Sequence, residues 1–161
     1  KKLRWFGLDR KYTGSKWEQD ILESGYKFHM NNVNAAIGLA QMKHISDIID
    51  AHKKNGKLYD QAITDTKRIK KLRRDANSES SYWIYSILVD DVVNFKNYMA
   101  SNEIATDVVH VRNDRYTVFK DYRCTDLPGT DEFCSKMINI PVGWWLTPED
   151  KEKIIRVVNE Y

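Results

Sequence analysis

From Asn31 to Ile63 apolar residues recur at three- and four-residue steps, and this run limits the possible folds more than any other stretch. Val33, Ala36, Ile37, Ala40, Ile45, Ile48, Ile49 and His52 share a helical face, which Leu58, Tyr59, Ala62 and Ile63 continue. Asn31 or Asn32 is a good N-cap. No proline precedes Pro128, so none interrupts the run. The spacing predicts one helix over about residues 32–64, roughly 50 Å long at 1.5 Å per residue. Gly38 and Gly56 each weaken it by about 1 kcal/mol relative to alanine. Gly38 lies beside Ala35 and Ala36 and reads as a point where another backbone comes close. A bend is expected near Asn55-Gly56.

The remaining elements are shorter. Lys1–Phe6 reads as a helix tail stopped at Gly7, followed by a polar loop containing Gly14 and Ser15. Tyr82–Val89 is β-branched and aromatic on both faces, as a covered central strand would be. Asp90-Asp91 opens a helix whose Val92, Phe95 and Met99 face inward, and Asn102 is expected to take the left-handed conformation that ends it. Ile104–Val111 reads as a second strand and Met137–Val142 as a third, with a helical turn over 131–135 before it. Thr147-Pro148-Glu149-Asp150 starts the last helix: Thr caps, Pro takes the first position and two acids oppose the dipole. Ile154, Ile155, Val157 and Val158 form its buried stripe. The fold class is α+β, with a long N-terminal helix plus a small, mostly antiparallel sheet carrying helices on one face.

Composition excludes several functions. At 161 residues the chain fits one domain, and a globule of that size buries roughly 68–70% of its unfolded surface. The net charge of +3 comes from 26 basic and 23 acidic residues spread along the chain, so nucleic acid is not an expected partner. The densest basic run, Lys67–Arg74, reads as a solvated connector after a helix, with a patch for nucleic acid or acidic lipid as the alternative. Cys124 and Cys134 form no disulfide framework and no zinc spacing; they read as reduced thiols of a cytoplasmic protein. No window of 18 apolar residues suggests a membrane span, and no signal peptide is expected. Metal-binding, Walker, dinucleotide and nucleophile-elbow patterns are absent. His44 and His52 lie about 12 Å apart on the predicted helix, too far to share a metal, so no metal site is expected.

Two clusters could carry chemistry. Tyr26-Lys27-Phe28-His29-Met30-Asn31-Asn32 is a polar and aromatic turn set on a helix N-terminus. There a lysine and the positive end of the dipole suit an anion. A turn in which Tyr26 and Phe28 pack while Lys27 is solvated fits the same residues. His110-Val111-Arg112-Asn113-Asp114-Arg115-Tyr116 follows a predicted strand, where a sheet can aim polar side chains into a cleft; an ordinary polar loop is the alternative. Trp144-Trp145 could line a sugar or other ring-shaped ligand, or serve a core or dimer contact.

Taken in order, these motifs resemble the DegT-type sugar aminotransferases over nearly the whole chain. Leu3-Arg4-Trp5-Phe6-Gly7-Leu8-Asp9-Arg10 is similar to the family stretch after the lysine-bearing strand, and Gly25–Gln41 to its most characteristic downstream segment. Tyr82–Val89, Ile104–Arg112, Leu127–Val142 and Leu146–Asp150 follow in family order. The resemblance implies the fold of type I aminotransferases, with residues 1–24 ending the large cofactor domain and 25–161 forming the C-terminal small domain. It implies pyridoxal 5'-phosphate as cofactor, held by a lysine. Glutamate would be the usual amino donor, a nucleotide-linked keto-sugar the acceptor, and a homodimer the assembly. Where many members use an asparagine to reach the cofactor phosphate of the neighbouring subunit, this chain has Lys27. His29 and His110 fall where members meet sugar or phosphate groups; Arg112 and Asn113 are carried over for the nucleotide-sugar. None of the lysines present sits in the context of the cofactor-holding lysine, so no catalytic residue is assigned. The chain is expected to be the C-terminal portion of an aminotransferase, inactive alone. Two rivals are a sugar dehydratase of the same family, with histidine in place of that lysine, and a non-catalytic dimerisation or binding domain.

Overall fold

Two helices replace the single one that the periodicity predicts. In the computed structural model, which describes residues 6, 8–9, 11–14, 20–22, 24–28 and 30–161, α1 spans Asn32–Gln41 and α2 spans Ile45–Ala62. A turn at 42–44 separates them. The Met42 amide still donates to the Gly38 carbonyl (3.0 Å), but the His44 amide turns to that of Gln41 (2.9 Å), a tighter step that ends the ladder. Met42, Lys43 and His44 are all exposed, so no packing holds the backbone straight there. The close approach expected at Gly38 is found at Gly56 instead. Gly38 faces open space, whereas a Cβ on Gly56 would lie 2.0 Å from the Tyr82 ring. α2 is continuous through Asn55-Gly56, where the Asn55 amide donates to the carbonyls of Val142 (3.1 Å) and Gly143 (3.0 Å).

The chain divides into two compact units, Lys1–Ile45 and Ser46–Tyr161. In the first, Asn31 caps α1 through a bond from the Asn34 amide (2.8 Å), as its residue type predicts. No residue of α1 is buried.

The second unit is a three-stranded antiparallel sheet, in the order β1 (Ile69–Lys71), β2 (Tyr85–Val89), β3 (Met137–Ile140). The register puts Ile69, Val89, Ile87, Ile138, Tyr85 and Ile140 on one face. On that face lie α2 through Tyr59 and Ile63, α3 (Val92–Ser101) through Phe95 and Met99, and α5 (Pro148–Glu160) through Ile154, Val157 and Val158. The expectation of helices on one face alone does not hold. The reverse face carries buried Met137 and half-buried Leu88, and α4 (Pro128–Lys136) lies over it with Phe133 beside Leu88. Apolar groups on a second face need cover too.

β1 lies inside the basic run read as a connector. Lys71 explains part of the error. Its ammonium donates to the carbonyls of Asp60 (2.8 Å) and Ile63 (2.6 Å) at the end of α2, where a cation meets orphan acceptors and the negative dipole end. The outer edge of β1 is closed locally: Thr66 exchanges bonds with the Ile69 backbone, and the Asp65 carboxylate accepts from the Lys71 amide (2.9 Å). An edge satisfied in this way cannot template pairing with another strand. The predicted strand 104–111 shrinks to one bridge, Asp107 to Asn139. Side chains take the next amides instead, Asp107 that of Val108 and Asn139 that of Val109, so the ladder stops.

α3 also ends differently from the expectation. Asn102 has φ −96°, and Glu103 takes the left-handed conformation at φ 61°. The amides of Glu103 and Ile104 donate to the carbonyls of Ala100 and Met99 (both 2.9 Å), the Schellman pattern with Glu103 in the glycine position. Left-handed geometry costs an L-residue roughly 1–2 kcal/mol, of which glycine's extra chain entropy returns about 0.5–1. Loss of the exposed Lys153–Glu103 pair matters little. Glu103→Gly is therefore expected to stabilise the fold by about 0.5–1 kcal/mol, read as a higher urea midpoint; an unchanged or lower midpoint contradicts this account.

Candidate functional site

Residues of the first cluster stand open to solvent. Lys27 is exposed, and no acid among the described residues pairs with it. Tyr26 and Phe28 stack on each other (centroids 5.1 Å, planes 16° apart) yet stay exposed, so the turn presents rings and a cation together rather than burying the rings. Asn31 spends its side chain on the helix cap. His29 lies outside the described residues.

The second cluster is built around Arg112. Its guanidinium forks onto the Asp114 carboxylate, with Nε donating to Oδ1 at 2.9 Å, and it also reaches Asp131 at the start of α4 and the Cys124 carbonyl (2.6 Å). Planar bidentate pairing of this kind suits arginine and no other side chain. Arg123 donates to the carbonyls of Asp114 and Arg115 (both 3.1 Å), closing the loop from the other side. Two short 3-10 turns, Asn113–Arg115 and Thr117–Tyr122, fill the loop, and Asn113 stays exposed. Arg112 is thus engaged by this loop's own acids and carbonyl.

The Arg112 hydrogen bonds hold the Asp114 carboxyl below the usual carboxylate range. Because its folded pKa is depressed, Asp114 supports the loop above the ordinary value near 4; that support is lost as pH falls through the lowered one. The protection of amides over residues 112–124, taken relative to their intrinsic exchange rates, is expected to fall on acidification from pH 5 to pH 2 more than over β2, and Arg112→Ala should abolish the difference. Equal protection of the loop at both pH values would refute the clamp.

His110 is exposed, and its ring lies 6.0 Å from that of Trp83, which is also exposed. Asn139 places this segment: buried in β3, it donates to Ser86 Oγ (2.7 Å) and accepts the Val109 amide (3.0 Å) one residue before His110. Arg112 and His110 are near in sequence, but their surroundings differ: one ring meets Trp83, the guanidinium meets the 113–131 loop. Trp144 and Trp145 are exposed and pack edge to face, with the Trp145 ring lying over Gly143 and its edge toward His52 (6.2 Å). Trp83, Asp131 and Asn139 are not singled out from sequence, and Asp114 is named only as part of the second cluster, without a role. An arginine two residues from an acid is the one available signal for pairing Asp114; Trp83 is hidden in a predicted strand that reads β-branched and aromatic on both faces.

Among the described residues no helix is long and apolar enough to cross a membrane, and no group of three or more His, Cys, Asp or Glu residues could hold a metal.

A model of the DegT/DnrJ/EryC1/StrS aminotransferase family matches residues 1–159. Among characterised relatives, the chain is 26% identical over 161 residues to the dTDP-4-amino-4,6-dideoxy-D-glucose transaminase of Escherichia coli, covering 94% of this chain and 43% of that one. It is 26% identical over 140 residues to the GDP-perosamine synthase of Escherichia coli O157:H7, covering 85% and 38%. Among solved structures it superposes on AtS13 from Actinomadura melliaura with a TM-score of 0.89 at 33% identity, covering 99% of this chain and 42% of the other. The chain spans about two-fifths of the length of these proteins. Its α+β architecture agrees with the C-terminal domain of an aminotransferase, and the chain belongs to the DegT/DnrJ/EryC1/StrS aminotransferase family.

Proposed function

We propose that this chain is the C-terminal, substrate-facing part of an enzyme that passes an amino group, with glutamate as donor, to a nucleotide-linked keto-sugar. The observation that carries this reading is the family match over 1–159, joined to relatives whose names describe a dTDP-sugar transaminase and a GDP-sugar synthase. In this reading residues 1–24 end the large cofactor domain and 25–161 form the small domain. The enzyme works in the cytoplasm as a homodimer, and the exposed apolar side chains of α1, Val33, Ile37 and Leu39, support self-association.

The family's cofactor is pyridoxal 5'-phosphate, and the residues of the first cluster fit it. Lys27, exposed and free of acidic partners among the described residues, suits a phosphate oxygen. When bound, the cofactor delocalises the charge left on the substrate carbon. This chain's residues hold the reactants around that chemistry. Lys27 carries positive charge to the phosphate; His29 and His110 offer imidazole nitrogens to sugar or phosphate oxygens. Arg112, tied to Asp114 and Asp131, shapes the loop from which Asn113 meets the nucleotide-sugar. No lysine here is assigned to hold the cofactor.

The test has two arms. The complete gene product, given pyridoxal phosphate, glutamate and a 4-keto-sugar nucleotide, is expected to release 2-oxoglutarate and an amino-sugar nucleotide. Residues 1–161 alone are expected to give no borohydride-stable cofactor adduct. Failure of the first arm removes the aminotransferase reading; a trapped adduct on a lysine of these residues overturns the assignment of that lysine elsewhere.

A further inference from the structure

We infer that Trp83, beside His110, is the surface on which this protein stacks the nucleobase of its substrate. This inference deepens the nucleotide-sugar reading above and rests on it. The indole is 67% exposed, although it stands two residues before Tyr85, one of the most deeply buried side chains in the core. A ring that large, exposed just before the central strand, is available to a group outside the described residues.

The backbone that presents it is strained. Tyr82 has φ 51°, a region that bulky L-residues avoid. Four contacts hold it there. Its amide donates to Ser80 Oγ (3.0 Å), its carbonyl bonds to His52 Nδ1 (2.9 Å), its hydroxyl donates to Asp60 (2.5 Å), and its ring lies on Gly56. Strain of this kind persists only where the surroundings over-determine it, and it gathers at ligand clamps. Its product is local: Tyr82 turns inward and Trp83 is left facing out.

His110 reaches the same place from a different segment, itself fixed by the Asp107–Asn139 bridge and the Asn139 bond to Val109. The ring centroids lie 6.0 Å apart with planes at 55°. The two rings sit on separately anchored backbones, so a ligand need not order those backbones; with the planes tilted, the indole supplies the stacking face and the imidazole a wall beside it. The ligand they fit is flat. A nucleobase is held by its faces, and indole and imidazole both offer such faces.

Calorimetric titration of the complete gene product with uridine, thymidine and guanosine diphosphates tests this, in the parent, Trp83→Ala and Trp83→Phe. At least one diphosphate is expected to bind the parent. Trp83→Ala should weaken it roughly 10- to 100-fold and Trp83→Phe by less than about fivefold, with melting temperatures unchanged in both. If the parent binds a diphosphate and Trp83→Ala binds it equally well, or Trp83→Phe is as weak as Trp83→Ala, the stacking role is wrong while the substrate reading stands. If the parent binds none of the three, the substrate reading falls and takes this inference with it.

Discussion

Asp60→Ala is expected to lose about 3 kcal/mol of stability, more than any other polar substitution in α2. One carboxylate on that helix accepts the hydroxyls of Tyr82 (2.5 Å) and Tyr85 (2.7 Å) and the Arg74 guanidinium (3.2 Å). Arg74 also lies over both rings, 4.4 Å from the Tyr82 centroid and 5.4 Å from that of Tyr85. Hydrogen bonds to charged groups contribute about 1.5–3 kcal/mol each, and removing the acceptor strands the donors. The Tyr85 ring is fully buried, so its hydroxyl cannot turn freely to water; the Arg74 arm is partly exposed and adds little. Asp60→Asn keeps an acceptor and should lose less than half as much.

The same cluster sets an alkaline limit. Burial first, and then the Asp60 hydrogen bond, push the Tyr85 hydroxyl well above its ordinary value; Tyr82 is raised for the same reasons. A group whose folded pKa is raised supports the fold fully below the unfolded value near 10, and that support declines as pH rises beyond it. Urea midpoints should therefore fall above pH 10, and the fall should be shallower in Asp60→Ala, where burial alone remains. Loss of less than 1 kcal/mol in Asp60→Ala at pH 7 would show that the cluster is an exposed network of little weight.

What the sequence reveals about the fold follows the range of the forces involved. The Thr147 cap of α5 before Pro148 is readable because every partner lies within four residues; the structure adds that Asp150 returns the bond to complete a capping box. The inward faces of α3 and α5 were readable because each helix meets one core. β1 was not. A three-residue edge strand with two lysines has the composition of a connector, and only the α2 carbonyls that receive Lys71, eight and eleven residues away, reveal its place. The break at 42–44 was invisible for a related reason. Periodicity reports which residues could share a face, but a straight helix needs something on that face to pack against.

Glycines show the limit most clearly. Gly38 among alanines reads as a close-approach site, and Gly56 beside an asparagine as the place of a bend. The approach at Gly56 comes from Tyr82, 26 residues away, and nothing local in α2 announces it. For the candidate site, residue type identified where chemistry could sit: Lys27 is open, and His110 faces a neighbouring ring. Arg112 differs, because Asp131 arrives from α4 and joins Asp114 in occupying its charge. Long-range partners of this sort decide whether an arginine meets a ligand directly or builds the wall beside it.

Gly56→Ala is expected to destabilise by about 2 kcal/mol or more, against the usual direction for an exposed helix. Alanine gains about 1 kcal/mol in helix propensity over glycine. At this position its methyl would meet Tyr82 Cδ1 at 2.0 Å and Cγ at 2.2 Å, atoms near the root of the ring rather than its free end. Tyr82 cannot swing aside without loss, since its hydroxyl is held by Asp60 and its carbonyl by His52. Overpacking of this kind costs about 1–3 kcal/mol, and the displaced hydrogen bonds add to it. A double-mutant cycle separates the causes. If the clash with the ring is the source, Gly56→Ala should cost little or become stabilising in a Tyr82→Ala background, because the methyl then occupies space the ring has left. A cost of the same size in both backgrounds would place the penalty in the backbone of α2 instead. The cycle also bears on Trp83: shifting Tyr82 from above, through Gly56, disturbs the strained residue that aims the indole while leaving the indole itself intact. Gly56→Ala should then weaken nucleoside diphosphate binding in the folded protein, in the direction of Trp83→Ala but by less.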